Sequence, residues 1–190
     1  MYLKVTLKDC SLGKGLFASE LIRANDIIFY INGKEVTYEE GLRLPCGGDH
    51  TVQIGPNRYI NPQYPSKFIN HSCDPNAGIR DLVRVMALRD IQPGEQVCFD
   101  YSTCVMERSW RMECACGSPK CRRVIGDFDQ LPRPLQQRYI DLGIVQPFIL
   151  EMMRVRLPET IVSRPVLHRP PPPSARHPLG WSAKRSADPG

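Results

Sequence analysis

Three cysteines within eight residues, Cys114, Cys116 and Cys121 in Glu-Cys-Ala-Cys-Gly-Ser-Pro-Lys-Cys-Arg, constrain this chain more than any other feature. Thiols so close cannot pair among themselves without leaving one over, but they can surround one metal ion, with Gly117 and Pro119 shaping the turn. A tetrahedral structural zinc site needs a fourth ligand, and the candidate is Cys73, far upstream in Asn-His-Ser-Cys-Asp-Pro-Asn. Any fold that uses this set must carry residue 73 to the 114–121 turn. A cluster of inert free thiols is the alternative. Cys10, Cys46, Cys98 and Cys104 are scattered, and an N-terminus that alternates apolar and polar residues reads as a first strand rather than an export signal. Metal or free thiols therefore come before disulfides.

The rest of the pattern is strand-rich. Short apolar runs, Leu3 to Leu7, Ile27 to Ile31, His50 to Ile54, Arg58 to Asn61, Leu82 to Ala87 and Gln96 to Tyr101, alternate with turn signals such as Gly33, Gly47-Gly48, Pro56-Asn57 and Pro93-Gly94. A short helix is expected after Thr37, where Thr-Tyr-Glu-Glu is a capping-box string. Past the cysteines, Pro134 to Gly143 and Pro147 to Arg156 read as two helices joined by a tight turn. Leu135, Tyr139 and Leu142 share one face, as do Phe148, Met152 and Val155, so both helices are expected to pack on the sheet. No run of about 18 apolar residues exists, which excludes a membrane-spanning helix.

Charge narrows the partners. Of the net +5, the segment from Arg164 onward carries most, leaving the preceding chain nearly neutral. A large nucleic-acid footprint on the folded part is not expected, since that calls for a basic stripe. The last 27 residues hold seven of the 18 prolines and few large apolar side chains, a composition expected to stay disordered.

Three motifs stand in one order before the cysteine cluster: Leu12-Gly13-Lys14-Gly15-Leu16-Phe17-Ala18, Lys67-Phe68-Ile69-Asn70-His71-Ser72-Cys73-Asp74-Pro75-Asn76, and Gly94-Glu95-Gln96-Val97-Cys98-Phe99-Asp100-Tyr101. A lone Gly-x-Gly is an ordinary turn signal. The Asn-His-Ser-Cys string is specific, and the whole set resembles a SET-domain protein lysine methyltransferase with a post-SET zinc segment. The resemblance covers roughly residues 3 to 123. It implies a mainly β fold of small curled sheets with a threaded, pseudoknot-like C-terminal segment and short helices, followed here by a C-terminal helical extension. The expected organisation is a SET domain at 1–105, a post-SET zinc segment at 106–126, a helical extension at 127–157 and a Pro/Arg-rich tail at 158–190.

The activity implied is transfer of a methyl group from S-adenosylmethionine to a lysine side chain of a protein. By resemblance, Tyr101 is the catalytic tyrosine, and Gly13, Lys14, Gly15, Lys67, Phe68, Asn70 and His71 hold the cofactor. Tyr30, Ile31, Phe99 and Tyr101 are assigned to the substrate channel, and Cys73, Cys114, Cys116 and Cys121 to structural zinc. Strand alternation would put Val97, Phe99 and Tyr101 on one face. Phe99 stands where the family tunes how many methyl groups are added, and phenylalanine leaves room for two or three.

The chain departs from the family pattern in places. Ile31 occupies the place of a usual channel tyrosine, with Tyr30 beside it, His50 stands near a usual aromatic, and Asn61 replaces a common aspartate. No cysteine-rich segment precedes the motifs, as in the compact stand-alone members of bacteria and viruses. Expected partners are a lysine-bearing protein, a histone or another basic DNA-associated protein, with no membrane and no sequence-specific nucleic acid. A cytoplasmic location is expected for a bacterial chain, a nuclear or host-delivered one otherwise. A catalytically silent binding module of the same fold is the alternative function; a nucleic-acid-binding protein built on the zinc segment and basic tail is a third.

Overall fold

The computed structural model describes residues 3–45, 47–48, 50–108 and 110–154. Five small sheets carry twelve short strands: β1 (Val5–Cys10), β2 (Gly13–Ala18), β3 (Ile27–Tyr30), β4 (Gly33–Val36), β5 (Val52–Gly55), β6 (Arg58–Pro62), β7 (Asn70–His71), β8 (Ala77–Arg80), β9 (Arg84–Ala87), β10 (Cys98–Phe99), β11 (Met112–Glu113) and β12 (Val124–Ile125). Three α-helices accompany them: α1 (Tyr38–Leu42), α2 (Arg133–Asp141) and α3 (Pro147–Arg154). No described helix is long and apolar enough to cross a membrane. The expected tail at 158–190, residues 155–157 of the helical extension, and Val155 of the expected α3 face lie outside the described residues.

β1 and β2 form a two-residue hairpin in which Cys10 pairs with Gly13. Gly13 has φ +93°, a backbone state that a Cβ disfavours, so glycine permits the tight reversal. The remaining sheets have orders β3-β9-β8, β4-β6-β5, β10-β7 and β11-β12. All pairings are antiparallel except β7 with β10, where Asn70 meets Cys98 and His71 meets Phe99. That parallel pair joins the second and third motifs directly. The predicted capping box is present: Thr37 Oγ1 accepts from Glu40 N–H, and Glu40 Oε2 accepts from Thr37 N–H at 2.7 Å.

Leu16, Ile22, Phe29, Ile79, Val85, Ile91, Val97 and Phe99 belong to the main core. A second cluster, Phe128, Tyr139, Ile144, Phe148 and Ile149, lies under α2 and α3, as the apolar faces of those helices require. It docks on the central sheet at Gly78, where a Cβ would collide with the Ile144 side chain. A third cluster gathers Cys73, Met112, Cys114 and Ile125, with Trp110 and Tyr101 packed against it.

The segment entering the cysteine region is held by a buried carboxylate. Asp127, 1% exposed, accepts from the backbone N–H groups of Glu107 (3.2 Å) and Arg108. Burial raises its pKa from 3.8 to about 6, outweighing those hydrogen bonds, and Asp129 and Glu107 push the same way. The folded state therefore holds this proton more tightly than the unfolded chain. Asp127's contribution to stability is full below pH 3.8 and is lost as pH rises through about 6. Urea midpoints measured between pH 4 and 7 should show Asp127→Asn gaining on the wild type as pH rises; parallel curves would contradict this.

Candidate functional site

The Asn-His-Ser-Cys string distributes its polar groups among three partners. Asn70, 4% exposed, donates through Nδ2 to the Lys14 carbonyl at 2.9 Å, tying the second motif to the glycine turn. Gly15 is approached so closely that a Cβ would overlap Gln96 Nε2 and lie 3.1 Å from Asn70 Nδ2. His71 accepts from Tyr101 N–H through Nδ1 at 3.2 Å, while its Nε2 lies 3.2 Å from Cys73 Sγ. Downstream, Asn76 donates to the Gln96 carbonyl and accepts from Cys98 N–H, anchoring the third motif. Asp74 makes an ion pair with Lys120 of the cysteine turn at 3.0 Å.

Tyr101 does not continue the strand. β10 ends at Phe99, and Tyr101 opens a single 3-10 turn, Tyr101–Cys104, because Asp100 accepts from Ser102 N–H and redirects the chain. Alternation along a strand is therefore not what aligns Phe99 with Tyr101. Their rings are nonetheless 4.9 Å apart at the centroids, and the Tyr101 hydroxyl donates to the Ile69 carbonyl at 2.9 Å. Burial pushes this phenol above its usual range, and Cys98 adds to the effect, so the hydroxyl stays protonated near neutrality.

Phe99, Tyr101 and Ile69 belong to the wall of a pocket holding about 850 Å³ of empty space, its open mouth included. Tyr38, Tyr59 and Trp110 add aromatic surface, and Lys67 and His50 add polar groups. Burial and the neighbouring Lys67 hold His50 below the usual imidazole range. Glu107 accepts from the Tyr59 hydroxyl at 2.8 Å, fixing that ring.

Tyr30 and Ile31, expected in the substrate channel, lie apart from this pocket. Ile31 is 3% exposed and belongs to the main core, and Tyr30 is 40% exposed; neither lines the pocket. A register irregularity between Ile27 and Phe29 does occur in β3, but it falls before Tyr30 and leaves that ring on the outside. The aromatic wall of this pocket comes from Tyr38, Tyr59 and Trp110, which sequence reading did not single out. Their signal was weak, since no motif encloses them. Gly13, Lys14, Gly15, Asn70 and His71 are not part of the pocket lining. Of the remaining expected cofactor residues, Lys67 joins the pocket wall with its ammonium 4.9 Å from the Phe68 ring centre, and Phe68 packs on the main core.

Three of the four expected thiols, Cys73, Cys114 and Cys116, converge, and His71 rather than Cys121 is the fourth donor beside them. Donor atoms of His71, Cys73, Cys114 and Cys116 all lie within 4.8 Å of one another. The Cys73 and Cys114 sulfurs are 3.7 Å apart. Zinc–sulfur bonds of about 2.3 Å in a tetrahedron place sulfurs roughly 3.8 Å apart, so this donor set fits zinc. Cys73 is held low, toward the thiolate, by hydrogen bonds from Cys114, His71 and the Arg122 N–H. Cys121 stands just outside the four: its Sγ accepts from Arg123 N–H at 3.4 Å and lies 3.6 Å from the Cys114 carbonyl. His71 supplies the fourth donor atom near the thiols, since Tyr101 N–H engages its Nδ1 and leaves Nε2 facing Cys73.

Comparison with known proteins agrees with this geometry. A family model described as "SET domain" matches residues 13–102. A 129-residue alignment is 32% identical to "Histone-lysine N-methyltransferase, H3 lysine-4 specific" of Aspergillus oryzae, covering 57% of this chain and 10% of that protein. "Histone-lysine N-methyltransferase set1" of Dictyostelium discoideum is 27% identical over 128 residues, covering 58% and 8%. The chain thus spans about a tenth of the length of these relatives. Among solved structures, "crystal structure of KRYPTONITE in complex with mCHG DNA and SAH" aligns with TM-score 0.52 at 21% identity, over 65% of this chain and 30% of that one, a likeness of fold. The three motifs meet at one centre beside a cysteine cluster, and it is the stretch that holds them, residues 13–102, that is similar to the SET domain.

Proposed function

We propose that this chain transfers a methyl group from S-adenosylmethionine to a lysine side chain of a protein substrate. The observation that carries the reading is the Tyr101 hydroxyl, pinned by the Ile69 carbonyl at a pocket wall that it shares with Phe99. S-adenosylmethionine supplies the methyl group on a sulfonium. The lysine nitrogen must present its lone pair: the new N–C bond forms as the C–S bond breaks, sulfur keeps the bonding pair, and a proton passes to solvent. Free lysine, with a pKa of about 10.4, is mostly charged at neutral pH. An aromatic-walled pocket disfavours the ammonium, so Phe99, Tyr59 and Trp110 favour the neutral amine. Tyr101, kept protonated, acts by orienting the amine and methyl carbon rather than as a base.

Gly13, Lys14, Gly15, Asn70 and His71 form the cofactor side, where Asn70 bonds the Lys14 carbonyl and the absence of a Cβ at Gly15 lets Gln96 and Asn70 approach the main chain. Zinc, held by Cys73, Cys114 and Cys116, fastens the post-SET segment and with it Trp110. Histones are the substrate class this reading favours, because both quoted relatives carry histone-lysine methyltransferase names. Phe99 in the wall favours addition of more than one methyl group. Tyr38, Tyr59 and Trp110 supply the aromatic wall that Ile31 does not, which argues against a catalytically silent module.

The test is transfer of labelled methyl to mixed histones and to a lysate of unmodified proteins, with the product lysine read by mass spectrometry. Label on lysine, lost in Tyr101→Phe, supports the reading; no label despite measured cofactor binding and a full set of proteins overturns it. Gly15→Ala should weaken S-adenosylmethionine binding about tenfold, since the new Cβ crowds Gln96 and Asn70. Calorimetry that finds equal affinities would remove the glycine turn from the cofactor site.

A further inference from the structure

Asp100 precedes Tyr101 and has no exposed surface, so its charge has to be met by neighbours. Arg122 reaches it with a two-pronged contact, Nη1 to Oδ2 at 2.6 Å and Nη2 to Oδ1 at 2.8 Å. Ser102 N–H donates to Oδ1, and the Tyr139 hydroxyl of α2 donates to Oδ2 at 2.8 Å. Three segments therefore meet on one carboxylate: the Tyr101 turn, the end of the cysteine turn, and the helical extension.

We propose that Tyr139 of the helical extension is a positioning residue for the active site, setting Tyr101 through Asp100. The inference rests on the methyl-transfer reading and adds to it a segment beyond the residues matched by the family model.

The extension grips the Tyr101–Cys104 turn at both ends. At its start, the Tyr139 hydroxyl holds Asp100, whose carbonyl in turn accepts from Thr103 N–H and Oγ1. At its far end, Gln146 N–H donates to the Thr103 carbonyl at 3.0 Å, and its side-chain amide donates to the Leu82 carbonyl. Between these clamps the Tyr101 N–H meets His71 and its hydroxyl meets Ile69. The Tyr139 ring lies in an apolar cluster with Phe128, Ile144 and Ile149, a setting phenylalanine would satisfy equally. Its hydroxyl serves the carboxylate pair, donating to Asp100 and lying against the Arg122 guanidinium that grips the same carboxylate. Removing it leaves Asp100 Oδ2 to Arg122 alone and lets the turn shift. Displacement of a reacting group by about 1 Å costs up to 100-fold in rate, and a smaller shift costs less.

The experiment compares Tyr139→Phe with Ile149→Val in the full chain. Ile149 belongs to the same apolar cluster but has no bond to Asp100, so its variant reports destabilisation alone. Tyr139→Phe should lower kcat about five- to tenfold with KM for S-adenosylmethionine and peptide within about twofold, whereas Ile149→Val should leave kcat within about twofold. A second readout uses 3-fluorotyrosine placed at position 101: its fluorine resonance should move or broaden in Tyr139→Phe and hold in Ile149→Val. An unchanged kcat in Tyr139→Phe, or an equal loss in both variants, overturns the proposal. Should the wild type transfer no methyl while the fluorine signal responds, the methyl-transfer reading falls and the coupling of Tyr139 to Tyr101 stands; an unresponsive signal removes the coupling itself.

Discussion

Tyr101→Phe is expected to lower the rate of methyl transfer to lysine by about 100-fold or more while S-adenosylmethionine binding changes little. The hydroxyl is placed by three constraints at once: the Asp100-capped turn, the Tyr101 N–H bond to His71, and donation to the Ile69 carbonyl. Phenylalanine keeps the ring contacts with Phe99 and His71 and deletes only the oxygen. The loss should therefore appear in kcat, with the protein folded and its metal content unchanged. Because burial raises the phenol's pKa, wild-type activity should show no fall assignable to Tyr101 ionisation as pH rises through the range where a free phenol titrates. Single-turnover rates of the two proteins, with cofactor affinity measured alongside, check the point. A rate within a few-fold of wild type would show that Tyr101 shapes the pocket without touching the reaction.

Metal removal should have the second large effect. Cys73, Cys114 and Cys116 tie the Asn-His-Ser-Cys segment to a turn with little regular structure of its own, only the two-residue strands β11 and β12. Structural zinc contributes folding free energy outright in such small segments, with apparent binding of about 10–16 kcal/mol in zinc-finger peptides. Chelation, or serine in place of Cys73, Cys114 or Cys116, should release the ion, expose the segment around residues 110–125 to proteases, and cut methyl transfer at least about tenfold. Trp110 packs against the thiol cluster and also lines the pocket, so the damage reaches the site directly. Refolding with zinc should restore the chelated wild type and not the serine variants. X-ray absorption then counts the sulfurs: four if Cys121 completes the shell, three and one nitrogen if His71 does. Full activity in a metal-free protein would reduce the cluster to a set of buried thiols.

The SET-domain motifs could be read in the sequence because each does a job that few residue types can do. Gly13 takes a positive φ, Asn70 bridges to a carbonyl, and the cysteines offer thiolate donors. The strand-rich class followed from short apolar runs between turns, and the helix at Thr37 from its capping box. Strands as short as β7, β10, β11 and β12 left no periodic signal, since two residues cannot show alternation. β2 was hidden by its glycines, which read as turn.

What only the tertiary structure decided is where the side chains of one neighbourhood come from. The pocket draws Tyr38 from α1, Tyr59 from β6 and Trp110 from the approach to β11, positions unrelated by any period. Adjacent in sequence, Ile31 is buried in the core while Tyr30, paired with Arg84 of β9, is exposed. Alternation puts Asp100 on the face opposite Phe99 and Tyr101 and says nothing of its partners, yet Arg122 and Tyr139 arrive from later segments to bury it. A local pattern records what one segment requires of its own backbone and ligands. Contacts between segments far apart in the chain depend on packing that no single segment encodes, and here they place the aromatic wall and the support beneath Tyr101.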